Sequence, residues 1–191
     1  FSNASTGKMS RELARAANEA GHRVTLISGP TQMPDPPGVE MVRVTTAEEM
    51  LREAERIFAN CDAAIMAAAV CDHRPVRRSD HKQPKADADL TIQLEPTVDI
   101  CARLGATKGD RVVIGFAMED HDHRVHAERK LVKKHCDAIV LNGPDNVGGD
   151  EAVVEVLRSG GDWSKPMRGT KTRIAATIIE LVEQLVAERT P

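Results

Sequence analysis

The chain is poor in aromatic residues, with no tyrosine, one tryptophan and three phenylalanines among 191 residues. The absence of tyrosine excludes short-chain dehydrogenases, which depend on a Tyr–Lys pair. No apolar run approaches the roughly 18 residues that a membrane-spanning helix needs, so no membrane span is expected. The net charge of -3 also argues against a nucleic-acid-binding protein held by bulk electrostatics.

Cysteine is also scarce. The four cysteines, Cys61, Cys71, Cys101 and Cys136, include no C-x-x-C pair, so neither a zinc site nor a disulfide framework is indicated. The simplest interpretation is a reduced, cytoplasmic compartment. An apolar content of 41% and a charged content of 29% are those of an ordinary globular protein that can build a real core.

Apolar patterns predict strands that alternate with helices along the chain. Strands are predicted at residues 22–28, 39–44, 62–70, 111–116, 138–142 and 152–157. Helices are predicted where apolar residues share one face, from Met9 to Ala20 and from Met50 to Phe58, and also at about 122–135 and 172–188. Thr46 and Glu49 have the spacing of a capping box. The run at 62–70 is nearly continuous in small apolar residues, which is typical of a central parallel strand covered on both faces.

This alternation predicts an α/β fold, a doubly wound Rossmann-like parallel sheet with flanking helices. Nothing marks a second domain, so we expect one domain over residues 1–191. In such folds the first anion-binding helix normally follows a strand. Only two residues precede Asn3, and we therefore expect the first strand and its glycine-rich loop to lie upstream of residue 1.

Residues 3–9 form a small, hydroxyl-rich loop that leads into an amphipathic helix, with Gly21 at the expected C-terminal cap. The free N–H groups and positive dipole end of a helix start suit a phosphate or carboxylate. The candidate anion loop consists of Ser5, Thr6, Gly7 and Lys8. It is not a Walker A motif, since Ser2 and Met9 replace two required residues, and plain helix capping is the alternative.

Two further segments follow the predicted strand at 62–70. The first is the end of this strand, at residues 67–72, where small side chains precede Asp72. Asp72 either binds a nucleotide, through a sugar hydroxyl or a base amino group, or simply caps a loop. Residues 72–88 are rich in Pro, Arg, Lys and Asp and cannot build a core. They are either a surface linker or a mobile lid that brings Lys82 onto a bound polyphosphate.

The helix at 122–135 carries His126, Lys130 and Lys134 on one face. A bound anion would relieve the repulsion between these groups, although a basic helix face is usually just solvated. Residues 120–123 contain two aspartates and two histidines that could bind a metal. Asp122 is better explained as the residue that caps this helix.

Taken in order, these segments resemble the phosphopantothenate–cysteine ligase family, also called phosphopantothenoylcysteine synthetases. The family loop S-N-x-S-[ST]-G-K-M-G stands at residues 2–10, with Ser10 in place of the last glycine. The other matching segments are A-A-V-A-D at 68–72, a lid lysine pair at Lys82 and Lys85, P-D-I at 98–100 without its proline, G-F-A-x-E at 115–119, K-x-x-x-K at 130–134 and D-x-[IV]-x-x-N at 137–142.

The resemblance implies an enzyme of coenzyme A biosynthesis that joins 4′-phosphopantothenate to L-cysteine. A nucleoside triphosphate first activates the carboxylate as an acyl-nucleotidylate with release of pyrophosphate, and cysteine then displaces the nucleoside monophosphate. Bacterial members use CTP and eukaryotic members accept ATP, in both cases with Mg²⁺. The resemblance also implies a homodimer with a small dimerisation strand region, and a frequent fusion behind a flavin-dependent decarboxylase.

Site residues follow by resemblance. Asn3 and Lys82 would be catalytic, and the anion loop at 5–8 would bind phosphate. The nucleotide pocket would consist of Met66, Ala67, Ala68, Asp72, Lys82, Val98, Asp99, Ile100, Cys101, Phe116, Lys130 and Lys134. Two alternatives stay open, a nucleotide-binding module that has lost turnover and an NAD(P)-dependent oxidoreductase, although no G-x-G-x-x-G motif follows a strand.

Overall fold

Strands and helices alternate in the computed structural model, which describes residues 5–77, 91–119, 121–143, 146 and 148–189. The helices within these ranges are α1 (Lys8–Glu19), α2 (Ala47–Phe58), α3 (Ile100–Ala106), α4 (His123–Lys133) and α5 (Lys171–Ala187). The strands are β1 (Thr25–Ser28), β2 (Glu40–Arg43), β3 (Ala63–Met66), β4 (His73–Pro75), β5 (Leu94–Pro96), β6 (Val112–Met118), β7 (Ala138–Asn142), β8 (Glu151–Arg158) and β9 (Met167–Thr170). Asn3, Lys82, Lys85 and Asp120 lie outside the described residues.

Helix α1 ends as the sequence predicted. The Gly21 N–H donates to the Asn18 carbonyl and the His22 N–H to the Ala17 carbonyl, both at 3.0 Å, which are the two hydrogen bonds of a Schellman motif. Gly21 has a φ of 90°, a conformation that costs glycine little and other residues more. This turn directs the chain from α1 into β1.

Helix α2 begins with the predicted capping box. The Glu49 N–H donates to Thr46 Oγ1 at 3.1 Å, and the Thr46 N–H donates to Glu49 Oε2 at 3.1 Å. Each end of the box satisfies a backbone donor that the helix itself cannot pair. The capping-box prediction is therefore confirmed in both halves.

The central five-stranded sheet has the order β3-β6-β7-β8-β9, and its first three strands are parallel. Strands β8 and β9 are antiparallel to their neighbours, so the sheet is mixed. The predicted parallel sheet is present in β3, β6 and β7, and β8 runs antiparallel to β7 because residues 143–150 are too few for the crossover that a parallel pair requires. Among the described residues, β1 and β2 form a separate parallel pair and β4 and β5 a separate antiparallel pair.

Strand β3 is shorter and less central than predicted. It spans Ala63–Met66, and among the described residues it pairs only with β6. All four of its residues are half-buried, since no described strand lies on its other side. The sequence expectation that a strand precedes residue 1 stays a prediction.

Helices cover both faces of the sheet, which confirms the doubly wound α/β class. Val112 and Ile114 of β6 pack with α1 and α5 in one core. Val113 and Ala117 alternate with them and pack with α2, α3 and α4 in the other. No helix in the described part of the chain is long and apolar enough to span a bilayer.

Four short elements escaped the sequence prediction, namely α3, β4, β5 and β9. Helix α3 has only seven residues, so it offers too few turns for a periodic apolar pattern. It is defined instead by its N-cap, because Asp99 Oδ1 accepts the Ala102 N–H at 3.0 Å. The predicted lid falls largely on residues 78–90, outside the described part of the chain.

Candidate active site

The carboxyl ends of the parallel strands meet at one edge of the sheet. Met66 of β3 lies opposite Gly115 of β6, and Met118 of β6 lies opposite Asn142 of β7. Ligands of doubly wound folds bind outside this edge. We call it the carboxyl edge.

Helix α4 presents the predicted row of His126, Lys130 and Lys134 beside this edge. Lys130 Nζ lies 2.5 Å from Glu119 Oε1, and His126 Nδ1 lies 3.6 Å from Glu119 Oε2. Glu119 immediately follows β6, and only 12% of its side chain is exposed. Lys130 is therefore held in place by a carboxylate at the carboxyl edge and is not merely solvated.

Lys134 is held by a second carboxylate, since its Nζ lies 3.1 Å from Asp99 Oδ2. Burial opposes the charged form of both groups, but the ion pair outweighs it. The pKa of Lys134 is raised, because the Asp99 carboxylate overcomes the effect of burial. The pKa of Asp99 is lowered, because the Ala102 N–H and the Lys134 ammonium group overcome the effect of burial.

The segment at 98–101 divides into exposed and buried residues. Val98 is 55% exposed, whereas Ile100 and Cys101 are only 3% and 8% exposed and belong to the core. Cys101 Sγ lies 3.5 Å from Cys136 Sγ, and this hydrogen bond, together with burial, raises the pKa of the Cys101 thiol. The Ile100 and Cys101 side chains therefore serve packing, and these two residues can offer a ligand only backbone groups.

The segment after β3 is open at its far end. Met66 is half-buried and packs on the α3–α4 side of the sheet, whereas Ala67 packs on the α1–α5 side. Ala68 and Asp72 are exposed. The Asp72 carbonyl accepts the Thr97 N–H at 2.8 Å, which ties the end of this segment to β5.

Among the nucleotide candidates that pack in the two cores, Phe116 shares its face of the sheet with Ala67 but not with Met66. It is half-buried and packs with the α1–α5 core, on the opposite face of the sheet from Met66. The structure thus brings Met66, Asp99 and Lys134 to one face and leaves Phe116 on the face of the anion loop.

The anion loop lies at the start of α1. Gly7 is the N-cap residue with a φ of 74°, and it has no side chain with which to cap the helix. Ser5 Oγ and Thr6 Oγ1 instead accept the N–H groups of Gly7 and Lys8, each at 3.4 Å, and both residues are exposed. The Lys8 ammonium group forms an ion pair with Asp150. The Thr6 hydroxyl thus accepts the first N–H of α1, so helix capping stays open beside anion binding as an explanation of this loop.

Sequence reasoning missed two buried cations near this loop, Arg11 and Lys171, each 5% exposed. Lys171 Nζ donates to the Asn146 carbonyl at 2.8 Å. Burial, with a smaller contribution from Lys8, lowers the pKa of Lys171. Each cation lies in the first turns of a helix, where a polar residue ordinarily faces solvent, so the sequence carried no signal for their burial.

The candidate metal-binding segment at 120–123 is described only in part, because Asp120 lies outside the described residues. Within the described ranges, no three His, Cys, Asp or Glu side chains gather closely enough to bind an ion. Asp122 is the N-cap residue of α4 as predicted, but its φ is 45° and its side chain makes no capping hydrogen bond. The predicted position is confirmed and the predicted capping bond is not present.

Comparison with known proteins identifies the family. The family model described as "DNA/pantothenate metabolism flavoprotein C-terminal domain" matches residues 1–186, and the chain belongs to this family. The coenzyme A biosynthesis bifunctional protein CoaBC of Bacillus subtilis is 41% identical over 143 residues, which are 74% of this chain and 35% of that protein.

Two further similarities cover nearly the whole chain. A cysteine/cysteine sulfinic acid decarboxylase from an unknown prokaryotic organism is 37% identical over 192 residues, covering 97% of this chain and 54% of that protein. The crystal structure of the C-terminal domain of a CoaBC protein has a TM-score of 0.82 and 32% identity, covering 96% of this chain and 85% of that one. The chain spans about half the length or less of these curated relatives.

Proposed function

We propose that this member of the family is the ligase domain that joins 4′-phosphopantothenate to L-cysteine in coenzyme A biosynthesis. The family match over residues 1–186 and the similarity to CoaBC proteins support this assignment. The observation that carries it is the pair of lysines on one face of α4, Lys130 and the C-cap residue Lys134, which are held by the carboxylates of Glu119 and Asp99. Two ammonium groups one helical turn apart suit the phosphates of a nucleotide.

The proposed reaction has two steps. A carboxylate is a poor electrophile, so the 4′-phosphopantothenate carboxylate attacks the α-phosphate of the nucleotide and forms an acyl-nucleotidylate, with pyrophosphate as the leaving group. The cysteine amine then attacks the acyl carbon and displaces the nucleoside monophosphate. Lys82 would stabilise charge on the phosphates, and Asn3 would hold the acyl intermediate. Both roles rest on the family resemblance alone.

The nucleotide would lie on the α3–α4 side of the carboxyl edge. Lys130 and Lys134 would there exchange part of their contact with Glu119 and Asp99 for contact with phosphate oxygens. Because both lysines are already held in place, little side-chain entropy remains to be lost on binding. Ala68 and the exposed Val98 would leave room for a flat base close to the backbone.

Mg²⁺ would reach the site with the nucleotide. Since no cluster of three metal-binding side chains lies within the described residues, the ion would be held mainly by phosphate oxygens and water. Its charge would assist departure of pyrophosphate. CTP is the proposed co-substrate, with ATP as the alternative, because the resemblance is to bacterial members.

The small antiparallel pair β4–β5 supports the proposal of a homodimer. Four large apolar side chains in and beside it are unusually exposed, namely Val76 (46%), Ile92 (50%), Leu94 (41%) and Val98 (55%). An apolar surface of this kind is typical of a protein–protein contact. A flavin-dependent decarboxylase, fused or separate, is the further partner that the family resemblance suggests.

The assay is pyrophosphate release with 4′-phosphopantothenate and Mg²⁺, comparing CTP with ATP, with and without L-cysteine. Turnover that depends on L-cysteine would support the ligase, and the faster nucleotide would identify the co-substrate. Nucleotide binding without release would favour the inactive nucleotide-binding module. If a preparation that extends upstream of residue 1 neither bound the nucleotide nor released pyrophosphate, both the ligase and the inactive nucleotide-binding module would be contradicted.

The α4 lysines give a sharper test. In Lys130→Met or Lys134→Met, loss of a charge-assisted contact should raise KM for the nucleotide about tenfold, with a smaller change in kcat. Lys133→Met is the matched control, because Lys133 lies on the same helix and is exposed. If Lys133→Met raised KM as much as the other two, the assignment of the row to nucleotide binding would be wrong.

A further inference from the structure

Asn142 ends β7 at the carboxyl edge, on the face of the sheet that α1 and α5 cover. Side chains alternate between the two faces along a strand, and Ala138 and Val140 of β7 pack with α1 and α5. The side chain of Asn142 therefore lies on the same face as Phe116, and the residue is half-buried. Its amide group is thus a polar group at the edge where a ligand is expected.

Asn146 contacts this amide group through a side chain whose own orientation is determined by the backbone of β8. The Val153 N–H donates to Asn146 Oδ1 at 3.0 Å, and Asn146 Nδ2 donates to the Val153 carbonyl at 2.8 Å. If the Asn146 amide group were turned round, its NH2 group would face an N–H and its oxygen would face a carbonyl, so only one orientation is possible. Asn146 Nδ2 also donates to Asn142 Oδ1, at 2.5 Å.

Lys171, at the start of α5, fixes Asn146 from the opposite side. Its Nζ donates to the Asn146 carbonyl at 2.8 Å, and the Asn146 N–H donates to the Gly143 carbonyl at 3.1 Å. Asn146 and Lys171 are only 7% and 5% exposed. Because the side chain and the backbone of Asn146 are both bonded and buried, Asn142 has a rigid neighbour.

The Asn142 amide group has one orientation that suits this neighbour. Its oxygen must face the Asn146 NH2 group, so its own NH2 group must face away from Asn146. No hydrogen bond from Asn142 Nδ2 is found among the described residues. The group that Asn142 offers to a ligand is therefore a hydrogen-bond donor.

We propose that Asn146 is a positioning residue, which turns the NH2 group of Asn142 toward the carboxyl edge so that it donates to a ligand oxygen. This inference deepens the proposed function and rests on it only for the identity of the ligand. The group suits an oxygen that accepts hydrogen bonds, such as a carbonyl or phosphate oxygen. Such an oxygen belongs either to the nucleotide or to 4′-phosphopantothenate.

The test is a double-mutant cycle on ligand binding, measured by calorimetry with CTP and Mg²⁺ and, separately, with 4′-phosphopantothenate. Asn142→Ala and Asn146→Ala should each raise the dissociation constant of the affected ligand about tenfold. Because both substitutions remove the same contact with the ligand, the double variant should also lose only about tenfold in affinity. Independent losses would multiply to about a hundredfold, and that result would overturn the proposal. Unchanged affinity in Asn146→Ala would overturn it as well.

Ser164→Ala is the matched control. Ser164 Oγ accepts the Val156 N–H at 2.9 Å, so this side chain also bonds the backbone of β8. No hydrogen bond between Ser164 and Asn142 is found among the described residues. Ser164→Ala should lower the melting temperature and leave both affinities unchanged. If it weakened binding as much as Asn146→Ala, loosening of β8 would be the cause and the proposal would be contradicted.

A spectroscopic readout separates the orientation of Asn142 from a purely structural role of Asn146. In the isotope-labelled chain, the side-chain NH2 signal of Asn142 is identified by its loss in Asn142→Ala. This signal should shift when the ligand binds to the unmodified chain, and the shift should be much smaller in Asn146→Ala. An equal shift in the two chains would overturn the proposal.

Asn142→Asp tests the same orientation if Asn146→Ala does not fold. The substitution keeps an oxygen that accepts the Asn146 N–H but replaces the outward NH2 group with a second oxygen. The affinity for the ligand should fall at least about tenfold, because an oxygen then faces the ligand oxygen. Unchanged affinity in Asn142→Asp would contradict the proposal.

The two ligands identify the oxygen that Asn142 contacts. Coupled losses for CTP would assign it to the nucleotide, and coupled losses for 4′-phosphopantothenate would assign it to that substrate. If neither ligand showed coupled losses, or if neither bound the unmodified chain, the proposal would be overturned. Coupled losses without pyrophosphate release would overturn the ligase and support the positioning role, whereas release with independent losses would do the reverse.

Discussion

Asp137 and Arg11 are both buried charged side chains, at opposite edges of the parallel strands. Asp137 lies just before β7, at the amino edge, and only 7% of its side chain is exposed. Its carboxylate accepts hydrogen bonds from Lys108 Nζ and Arg189 Nη2, each at 2.5 Å, and from the Val113 N–H at 2.7 Å. Arg11 lies beyond the carboxyl end of β1 and has one backbone acceptor.

The comparison distinguishes charged side chains whose partners stabilise the fold from charged side chains that can still bind a ligand. At the amino edge, residues from three parts of the chain converge on Asp137 and satisfy it. Lys130 pairs with Glu119 at the carboxyl edge and Lys134 pairs with Asp99, and a phosphate can compete with both carboxylates, whereas no ion pair of Arg11 is found among the described residues. The cations that are expected to bind ligand are therefore those with incomplete or exchangeable charge pairing.

The largest effect is expected for Asp137→Asn. The substitution leaves Lys108 and Arg189 without their shared counter-charge, which should lower the free energy of unfolding by about 3 kcal/mol. Asp110→Asn is the control, because Asp110 is exposed and close in sequence to Lys108. Urea denaturation measures both.

A loss below about 0.5 kcal/mol, the ordinary range for a surface substitution, would mean that Asp137 is not the structural charge that its contacts indicate. Asp137 would then no longer differ from Arg11 as a buried charge that stabilises the fold. Pyrophosphate affinity of Asp137→Asn should stay unchanged, provided that the variant is folded.

The second effect concerns the packing of α3 against α4. A Cβ atom on Gly105 would overlap with the carbonyl oxygen of Lys134, so Gly105→Ala must move the two helices apart. Overpacking of this kind should cost about 1–3 kcal/mol. Because the Asp99–Lys134 pair spans these helices, nucleotide affinity should fall together with stability.

Gly161→Ala is the control for this substitution, since its new Cβ atom would make only ordinary contacts with Arg158, at 3.6 Å. Measured by urea denaturation, it should change stability by less than about 0.5 kcal/mol. Equal losses in the two variants would indicate a general cost of replacing glycine rather than a clash between α3 and α4.

Local signals explain how much of the fold could be predicted. Strand β7 has the predicted bounds, and the Gly21 turn and the Thr46 capping box are present, because each depends on residues that are close in sequence. Strand β9 and the antiparallel direction of β8 were missed, since pairing partners distant in sequence determine them.

The candidate site also has features that depend on nearby residues and features that depend on residues distant in sequence. The spacing of Lys130 and Lys134 placed them on one helix face, but it could not reveal the carboxylates of Glu119 and Asp99 that hold them. The burial of Arg11 depends on a loop 23 residues away, so no local pattern encodes it. Asn3 and Lys82 stay predictions, since neither lies within the described residues.

The smallest effect is expected for the Asp99–Lys134 pair. Asp99→Asn keeps an oxygen to cap α3 but removes the negative charge, and because 43% of the Asp99 side chain is exposed, solvent screens the pair. The loss in the free energy of unfolding at pH 7 should therefore be about 0.5 kcal/mol. Asp110→Asn again serves as the control.

The pH dependence of this small effect distinguishes the charge of Asp99 from its role as the cap of α3. The pKa of Asp99 is lowered in the folded chain, so its stabilising contribution is complete above the ordinary carboxyl range and is lost as the pH falls through the lowered pKa. The raised pKa of Lys134 keeps the ammonium group charged through neutral pH and beyond. The difference between the unmodified chain and Asp99→Asn should therefore be constant from about pH 6 to pH 8 and should vanish in acid. A difference that persisted below the lowered pKa would show that Asp99 acts through its cap and not through Lys134, and the two residues would then no longer count as a charge pair of the candidate site.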